Sequence, residues 1–241
     1  MSRSWLSTVK GAYVGLARRS GRALEATSLI PADPPDREQR ARHWLQTLPH
    51  VYDSSALARF DVPWWTYRAI DVVETWLAAR PAPARVFEFG SGASTLWLAR
   101  RSGEVHSVEH DAGFAESIRP RLSAFQNVVL HVEPPVESSS PRASSAVEDY
   151  ADLDFTSYVS TIDAVDGGFD LVVIDGRARH ACLERAVSRI AEGGMIVFDN
   201  SRRQRYRDAI ARSGLHEQVL RGLTPTLPYP EQTSLLYRRR G

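Results

Sequence analysis

The chain is poor in cysteine and in lysine. Its one cysteine, Cys182, excludes a disulfide within the chain and a cysteine-rich zinc site. Lys10 is the one lysine among 30 cationic residues, so the carboxyl-terminal half has no lysine to act as a base. No run of 18 apolar residues exists, and no spanning helix is expected. Gly11–Ala17 is too short, and too quickly closed by Arg18 and Arg19, for the apolar region of a signal peptide. Cytoplasmic residence is the expectation that follows. A net charge of +1 gives no large basic excess, which argues against a general nucleic-acid binder. His43, His50, His106, His131 and His216 show no paired ligand spacing and read as structural or surface residues. There is no internal repeat.

What is present is ordinary in bulk. The 241 residues, 43% hydrophobic and 24% charged, fit one substantial domain with an appendage. Trp5, Val9, Tyr13 and Leu16 fall near helical spacing, which predicts a helix over 4–24. Peripheral membrane or partner contact through residues 1–30 is one reading of it. A helix laid on the main domain is the other, and the thin apolar stripe favours it. A Pro-rich linker spans 31–36, a helix to about Leu48 follows, and Pro63 opens a stronger helix over Trp64–Arg80. Residues 1–80 thus read as a helical extension and 81–241 as the main domain.

From Arg85 short apolar runs alternate with helical stretches. Val86–Phe89, Val105–Val108, Val128–Val132, Asp170–Ile174 and Met195–Phe198 read as strands, with helices at 94–102, 112–123, 179–191 and 202–213. Leu215–Leu220 and Ser234–Tyr237 finish the series. This predicts an α/β, Rossmann-like, doubly wound and mostly parallel seven-stranded sheet with helices on both faces. A Pro/Ser-rich stretch at 134–148 breaks the rhythm, and reads equally as a lid or as a disordered excursion.

The most informative segment is Val86–Ala99, a strand, a glycine turn and a helix start. Gly90 and Gly92 permit a tight turn and close approach of a ligand. The helix that follows points free N–H groups back at the turn. Thr95 stands where a dinucleotide fingerprint needs its third glycine, and no Walker-type Gly-Lys-Ser/Thr occurs. Glu88 precedes the turn and suits a cationic amino group. Glu109, nineteen positions after Gly90, suits two ribose hydroxyls. The pattern points to a nucleoside-type ligand without phosphates.

Glu88-x-Gly90-Ser91-Gly92-x-Ser94-Thr95 and Ser107-Val108-Glu109-His110 resemble motif I and the strand-two acid of class I S-adenosylmethionine-dependent methyltransferases. The resemblance covers roughly residues 82–241. It implies S-adenosylmethionine as donor, held by Glu88, Gly90, Ser91, Gly92, Ser94, Thr95, Glu109 and His110. It also implies that one of the last strands runs antiparallel.

A second constellation lies at the ends of two later strands. Asp170–Gly176 delivers Asp175, and Gly193–Asn200 delivers Asp199 and Asn200. In an open parallel sheet these gather where ligands bind. Three oxygen donors suit a hard cation such as Mg²⁺. The same positions resemble the metal triad of catechol-type and sugar-modifying O-methyltransferases. The alternative is that Asp175 alone serves the reaction while Asp199-Asn200 caps the next helix. The catechol pattern places a lysine base after the strand-four acid. Here the stretch is Gly176-Arg177-Ala178-Arg179-His180, so Asp175 or His180 is the candidate base. Arg177 and Arg179 read as anion-binding or as solvated helix-start residues. The motifs around Asp175 and Asp199, with Phe60–Tyr67, also resemble a group of bacterial small-molecule methyltransferases, and Trp64, Trp65 and Tyr67 are candidates to close the site.

The expectation is methyl transfer to a small molecule, foremost at a hydroxyl oxygen of a sugar, glycolipid, polyketide or phenol. The alternatives are a nicotinamide oxidoreductase and a non-catalytic module acting through residues 1–30. A homo-oligomer is left open.

Overall fold

The apolar runs assemble into one sheet. The computed structural model describes residues 34–50, 53–145 and 150–238. The helix over 4–24 and any contact through 1–30 lie outside them. Before the sheet come α1 (Arg40–Thr47), a 3-10 turn (Leu48–His50), α2 (Ser54–Arg59) and α3 (Tyr67–Ala78). Then β1 (Arg85–Phe89), α4 (Ala93–Ala99), β2 (Glu104–Glu109), α5 (Ala112–Leu122) and β3 (Val128–Val132) alternate. Short β4 (Val136–Glu137) and β5 (Leu153–Asp154) precede α6 (Thr156–Ser160). The chain continues through β6 (Phe169–Ile174), α7 (Arg179–Arg189), β7 (Ile190–Asp199), α8 (Gln204–Arg212), β8 (His216–Gly222) and β9 (Glu231–Tyr237).

Strand order is β3-β2-β1-β6-β7-β9-β8, and β9 runs antiparallel to both neighbours. The order reverses between β1, which continues outward to β2, and β6, which starts the other half. Crevices at such switch points, beyond the carboxyl ends of the strands, are where ligands bind.

Both faces are buried, and alternate residues of each strand serve opposite faces. Val86, Val105, Leu171, Val173, Met195 and Val197 pack with Ile70, Val73 and Leu77 of α3 and with Trp97 and Leu98 of α4. Phe87, Phe89, Val172, Ile174 and Phe198 pack on the other face with Tyr158, Cys182, Leu183 and Ile210. Cys182 is therefore a core residue, and burial pushes its thiol pKa up, out of the reactive range.

One local expectation is corrected. The strong helix does not open at Pro63. It opens after Thr66, whose backbone is extended (ψ 142°) and whose hydroxyl accepts the Ala69 N–H. The Thr66 N–H donates to Thr233 Oγ1 at 3.1 Å, and Trp65 is fully buried, so the stretch before Tyr67 is held straight against β9. The described part of the 134–148 insert is ordered around Asp154. That carboxylate accepts the Arg142 N–H at 3.0 Å and the Thr156 N–H at 2.8 Å, and the Thr156 hydroxyl with these amides holds its pKa at about 2.

Candidate functional site

β1 ends in a turn that only glycine fits. Gly90 has φ 98°, and a Cβ there would lie 2.6 Å from Gly176 Cα and 2.7 Å from Gly176 N. The turns after β1 and β6 thus touch backbone to backbone. Above this seam lies a cavity of about 360 Å³, at the lower end of the roughly 300–1,000 Å³ typical of small-molecule sites. The β1 turn contributes Gly90, Ser91, Gly92 and Ser94. The end of β2 contributes Glu109, His110, Asp111 and Phe114. The β6 turn contributes Asp175, Gly176 and Arg177, and Trp64 and Tyr150 complete the wall.

Glu109 binds the two sides of the cavity together. Its Oε2 accepts the Ser91 N–H at 3.0 Å, and its Oε1 accepts the N–H groups of His110 (2.9 Å) and Asp111 (2.8 Å). A carboxylate has about four acceptor sites, so the group keeps capacity toward the cavity. His110 Nδ1 lies 2.7 Å from Glu109 Oε1 without the direction of a hydrogen bond.

Glu88 and Thr95 lie beneath the cavity rather than on its wall. Thr95 Oγ1 accepts the Gly92 N–H at 2.8 Å and donates to Glu88 Oε2 at 2.6 Å. Ser107 Oγ donates to the same oxygen at 2.7 Å. Glu88 is fully buried, and its Oε1 has no hydrogen bond of ordinary geometry. Burial pushes its pKa up to about 7, against the pull of the Ser94, Thr95 and Ser107 hydroxyls. In place of a third glycine, Thr95 thus ties the turn to β1.

Asp175, Asp199 and Asn200 stand at neighbouring strand ends, as read from the sequence. The Asp175 and Asp199 carboxyls lie within hydrogen-bond reach of each other, and Arg179 stands beside both. Its Nη2 donates to Asp175 Oδ1 at 2.8 Å and to the Asp175 carbonyl at 2.6 Å. Its Nη1 donates to the Asp199 carbonyl at 2.6 Å and lies 3.9 Å from Asp199 Oδ2, and its Nε donates to the Gly176 carbonyl at 3.0 Å. Ala178, at φ 45°, reverses the chain so that α7 starts with Arg179 pointing back at the turn. Thr233 Oγ1 donates to Asp199 Oδ1 at 2.8 Å. Burial raises the pKa of Asp175, opposed by Arg179, and burial with the Asp175 charge raises that of Asp199 to about 8.

Nothing in this arrangement supports the expected metal triad of Asp175, Asp199 and Asn200. The acids face a guanidinium bonded to both strand ends, and the described residues contain no group of three His, Cys, Asp or Glu placed to hold a metal. Asn200 sits in a left-handed turn (φ 51°) after β7. The capping alternative fails, because the N-cap of α8 is Arg203, without a side-chain cap. His180 is half-buried on the first turn of α7 and is not on the cavity wall. Of the aromatic candidates, Trp64 lines the cavity, with its Nε1 donating to Thr226 Oγ1 at 3.1 Å, while Trp65 and Tyr67 are core.

A sequence profile for a methyltransferase domain matches residues 87–201, the span from β1 through β7 that builds every wall of the cavity except Trp64. This span is a methyltransferase domain with the class I S-adenosylmethionine-dependent fold. The methyltransferase resembles two solved structures over most of both chains. Cofactor-bound Rv0187 from MTB is 20% identical, with 88% of this chain and 100% of that chain covered and a TM-score of 0.56. The O-methyltransferase TomG from Streptomyces achromogenes, involved in tomaymycin synthesis and solved with SAM, is 16% identical, with 94% and 89% covered and a TM-score of 0.51. At these identities the likeness is one of fold. No curated protein matches the sequence. The nicotinamide alternative gives way to the methyltransferase assignment, consistent with Thr95 at the third-glycine position. No helix among the described residues is long and apolar enough to cross a membrane.

Sequence reasoning missed Asp111, Phe114 and Tyr150. Asp111 carried a signal, since it is the N-cap of α5 and accepts the Phe114 N–H at 3.0 Å, directly after Glu109. Tyr150 carried none, because the insert that delivers it has no periodicity.

Proposed function

We propose that the methyltransferase moves a methyl group from S-adenosylmethionine to an oxygen of a small-molecule acceptor, with Asp175 as proton acceptor and no metal in the path. One observation carries this reading. Asp175 opens into the same cavity as the glycine turn and Glu109, and Arg179 is bonded to it from the first turn of α7.

When bound, the donor supplies a methyl group on a sulfonium sulfur. The chain's own contribution is alignment and charge. Glu109 is placed to accept the ribose hydroxyls, with Ser91, Gly92 and Ser94 framing the amino-acid end. Glu88 acts from below, fixing the turn through Thr95. Alignment of two reactants can supply a large share of a rate gain.

Asp175 then removes the hydroxyl proton of the acceptor. Arg179 holds that carboxylate in one orientation and, as a permanent cation, opposes the burial that raises its pKa. Arg179 does for the acid pair what a divalent ion does in a metal-dependent site, but it offers no open coordination position to the acceptor. The likeness of fold to an O-methyltransferase agrees with oxygen as the accepting atom.

The test is methyl transfer from labelled S-adenosylmethionine to a panel of sugars, phenols and polyketide alcohols, with products located by mass spectrometry in parallel reactions with and without EDTA. O-methylated product formed equally with and without EDTA supports the reading. Transfer only to nitrogen, or transfer abolished by EDTA and restored by Mg²⁺, overturns it.

A further inference from the structure

Arg177 stands apart from Arg179, although two residues separate them. Every nitrogen of Arg179 is bonded to the protein. Arg177 lines the cavity, and among the described residues no carboxylate lies within ion-pair distance of it. Its Nε is buried and has no hydrogen-bond partner. Its guanidinium lies 4.7 Å from the centre of the Tyr150 ring, held over an aromatic face rather than against an acid. Leaving a charged donor buried and unsatisfied is costly, and a cation–π contact compensates only part of that cost.

The neighbouring strand end carries more unpaired positive charge. Arg202 and Arg203 follow Asp199-Asn200, are exposed, and have no ion-pair partner among the described residues. Arg203 is near enough to Asp175 to pull its pKa down. β6 and β7 are adjacent, with Ile174 paired to Phe198, so the turns bearing Arg177 and Arg202-Arg203 leave the sheet side by side. Arg202 and Arg203 leave β7 on the side of Asp175 away from Glu109, while Arg177 lies over Tyr150, whose ring is 5.7 Å from that of His110. A neutral acceptor would leave this charge idle.

We propose that the acceptor carries an anionic group, a carboxylate or phosphate, and that Arg177 grips it while Arg202 and Arg203 attract it. The planar fork of arginine suits either oxyanion in a bidentate manner. This rests on the reading of the cavity as the donor and acceptor site. The same fork could instead serve the carboxylate of the donor's own amino-acid end, and the experiment separates the two.

Calorimetry first measures S-adenosylhomocysteine and 5′-methylthioadenosine, which lacks the amino-acid end, on wild type and on Arg177→Gln. Benzoate, inorganic phosphate and neutral benzamide are then titrated into the protein saturated with S-adenosylhomocysteine, and again into the nucleoside-free protein. The expected result is that benzoate or phosphate binds the wild type, benzamide does not, and Arg177→Gln weakens the anion about tenfold. S-adenosylhomocysteine affinity stays within twofold in that variant. If the variant loses S-adenosylhomocysteine but keeps 5′-methylthioadenosine, Arg177 serves the donor and the proposal fails. It also fails if benzamide binds as well as benzoate, or if neither anion binds. Absence of nucleoside binding to wild type would instead overturn the donor-site reading, while the anion titrations into the nucleoside-free protein still report on Arg177.

Discussion

Arg179 donates to Asp175 Oδ1 at 2.8 Å from the first turn of the helix that the Asp175 loop itself introduces. The pair is local in sequence, yet it reaches across to the end of β7 through the Asp199 carbonyl. The charge of two buried acids is thereby balanced from within one turn.

Removing that cation leaves both acids uncompensated. Arg179→Met is expected to destabilise the fold by roughly 3–5 kcal/mol near pH 8. The loss shrinks as pH falls, because acids with raised pKa values take up protons and shed the charge that Arg179 balances. Urea denaturation at pH 5.5 and pH 8 measures both. An equal loss at the two pH values would contradict the charge argument.

Glu88 gives a second pH signature. Its pKa is raised from 4.5 to about 7 in the folded protein, so the folded state binds the proton more tightly than the unfolded chain. Stability from this group is present below pH 4.5 and is lost as pH rises through about 7. Glu88→Gln removes the titration. Relative to wild type, the variant should gain on the order of 3 kcal/mol between pH 4 and pH 8. A constant difference across that range would mean that folding leaves the Glu88 pKa unshifted.

Glu109→Ala should weaken S-adenosylhomocysteine by more than about a hundredfold, because it removes two hydroxyl contacts and the anchor of the Ser91 N–H together, each charge-assisted bond being worth about 1.5–3 kcal/mol. Glu109→Gln, which keeps one acceptor oxygen, should lose less. Calorimetry showing the Ala variant within threefold of wild type would remove the ribose assignment.

Gly90→Ala should abolish nucleoside binding without changing any polar group. The added methyl meets Gly176 backbone, at a φ of 98° that side chains rarely adopt. Strain and overpacking together predict a loss of about 1–3 kcal/mol in stability. Thermal unfolding and S-adenosylhomocysteine binding should fall together. Retained binding in a folded variant would show that the turn has slack.

The fold was legible because its signals are local. The strand runs at Val86, Val105, Val128, Asp170 and Met195 are short and apolar, and each is bounded by turn residues, as buried parallel strands require. Gly90, Gly92 and Glu109 were legible for the same reason, since turn and acid lie at fixed spacing from strands. The roles of Glu88 and Arg179 were not. Whether an acid before a glycine turn faces a ligand or lies under the turn depends on what fills the third-glycine position, and Thr95 does so with a hydroxyl. Whether two acids at neighbouring strand ends await a metal depends on whether a cation already stands there, and Arg179 reaches it through the left-handed backbone of Ala178, which no composition signal announces. The start of α3 was misplaced because Pro63 looks like a first-turn proline, whereas Thr233, far along the chain, holds Thr66 extended.

The guanidinium beside Asp175 and Asp199 travels with the polypeptide. Its occupancy is fixed at one per chain from the moment of folding, so the supply of ions in the surroundings cannot titrate that charge up or down, and no chelator can strip it.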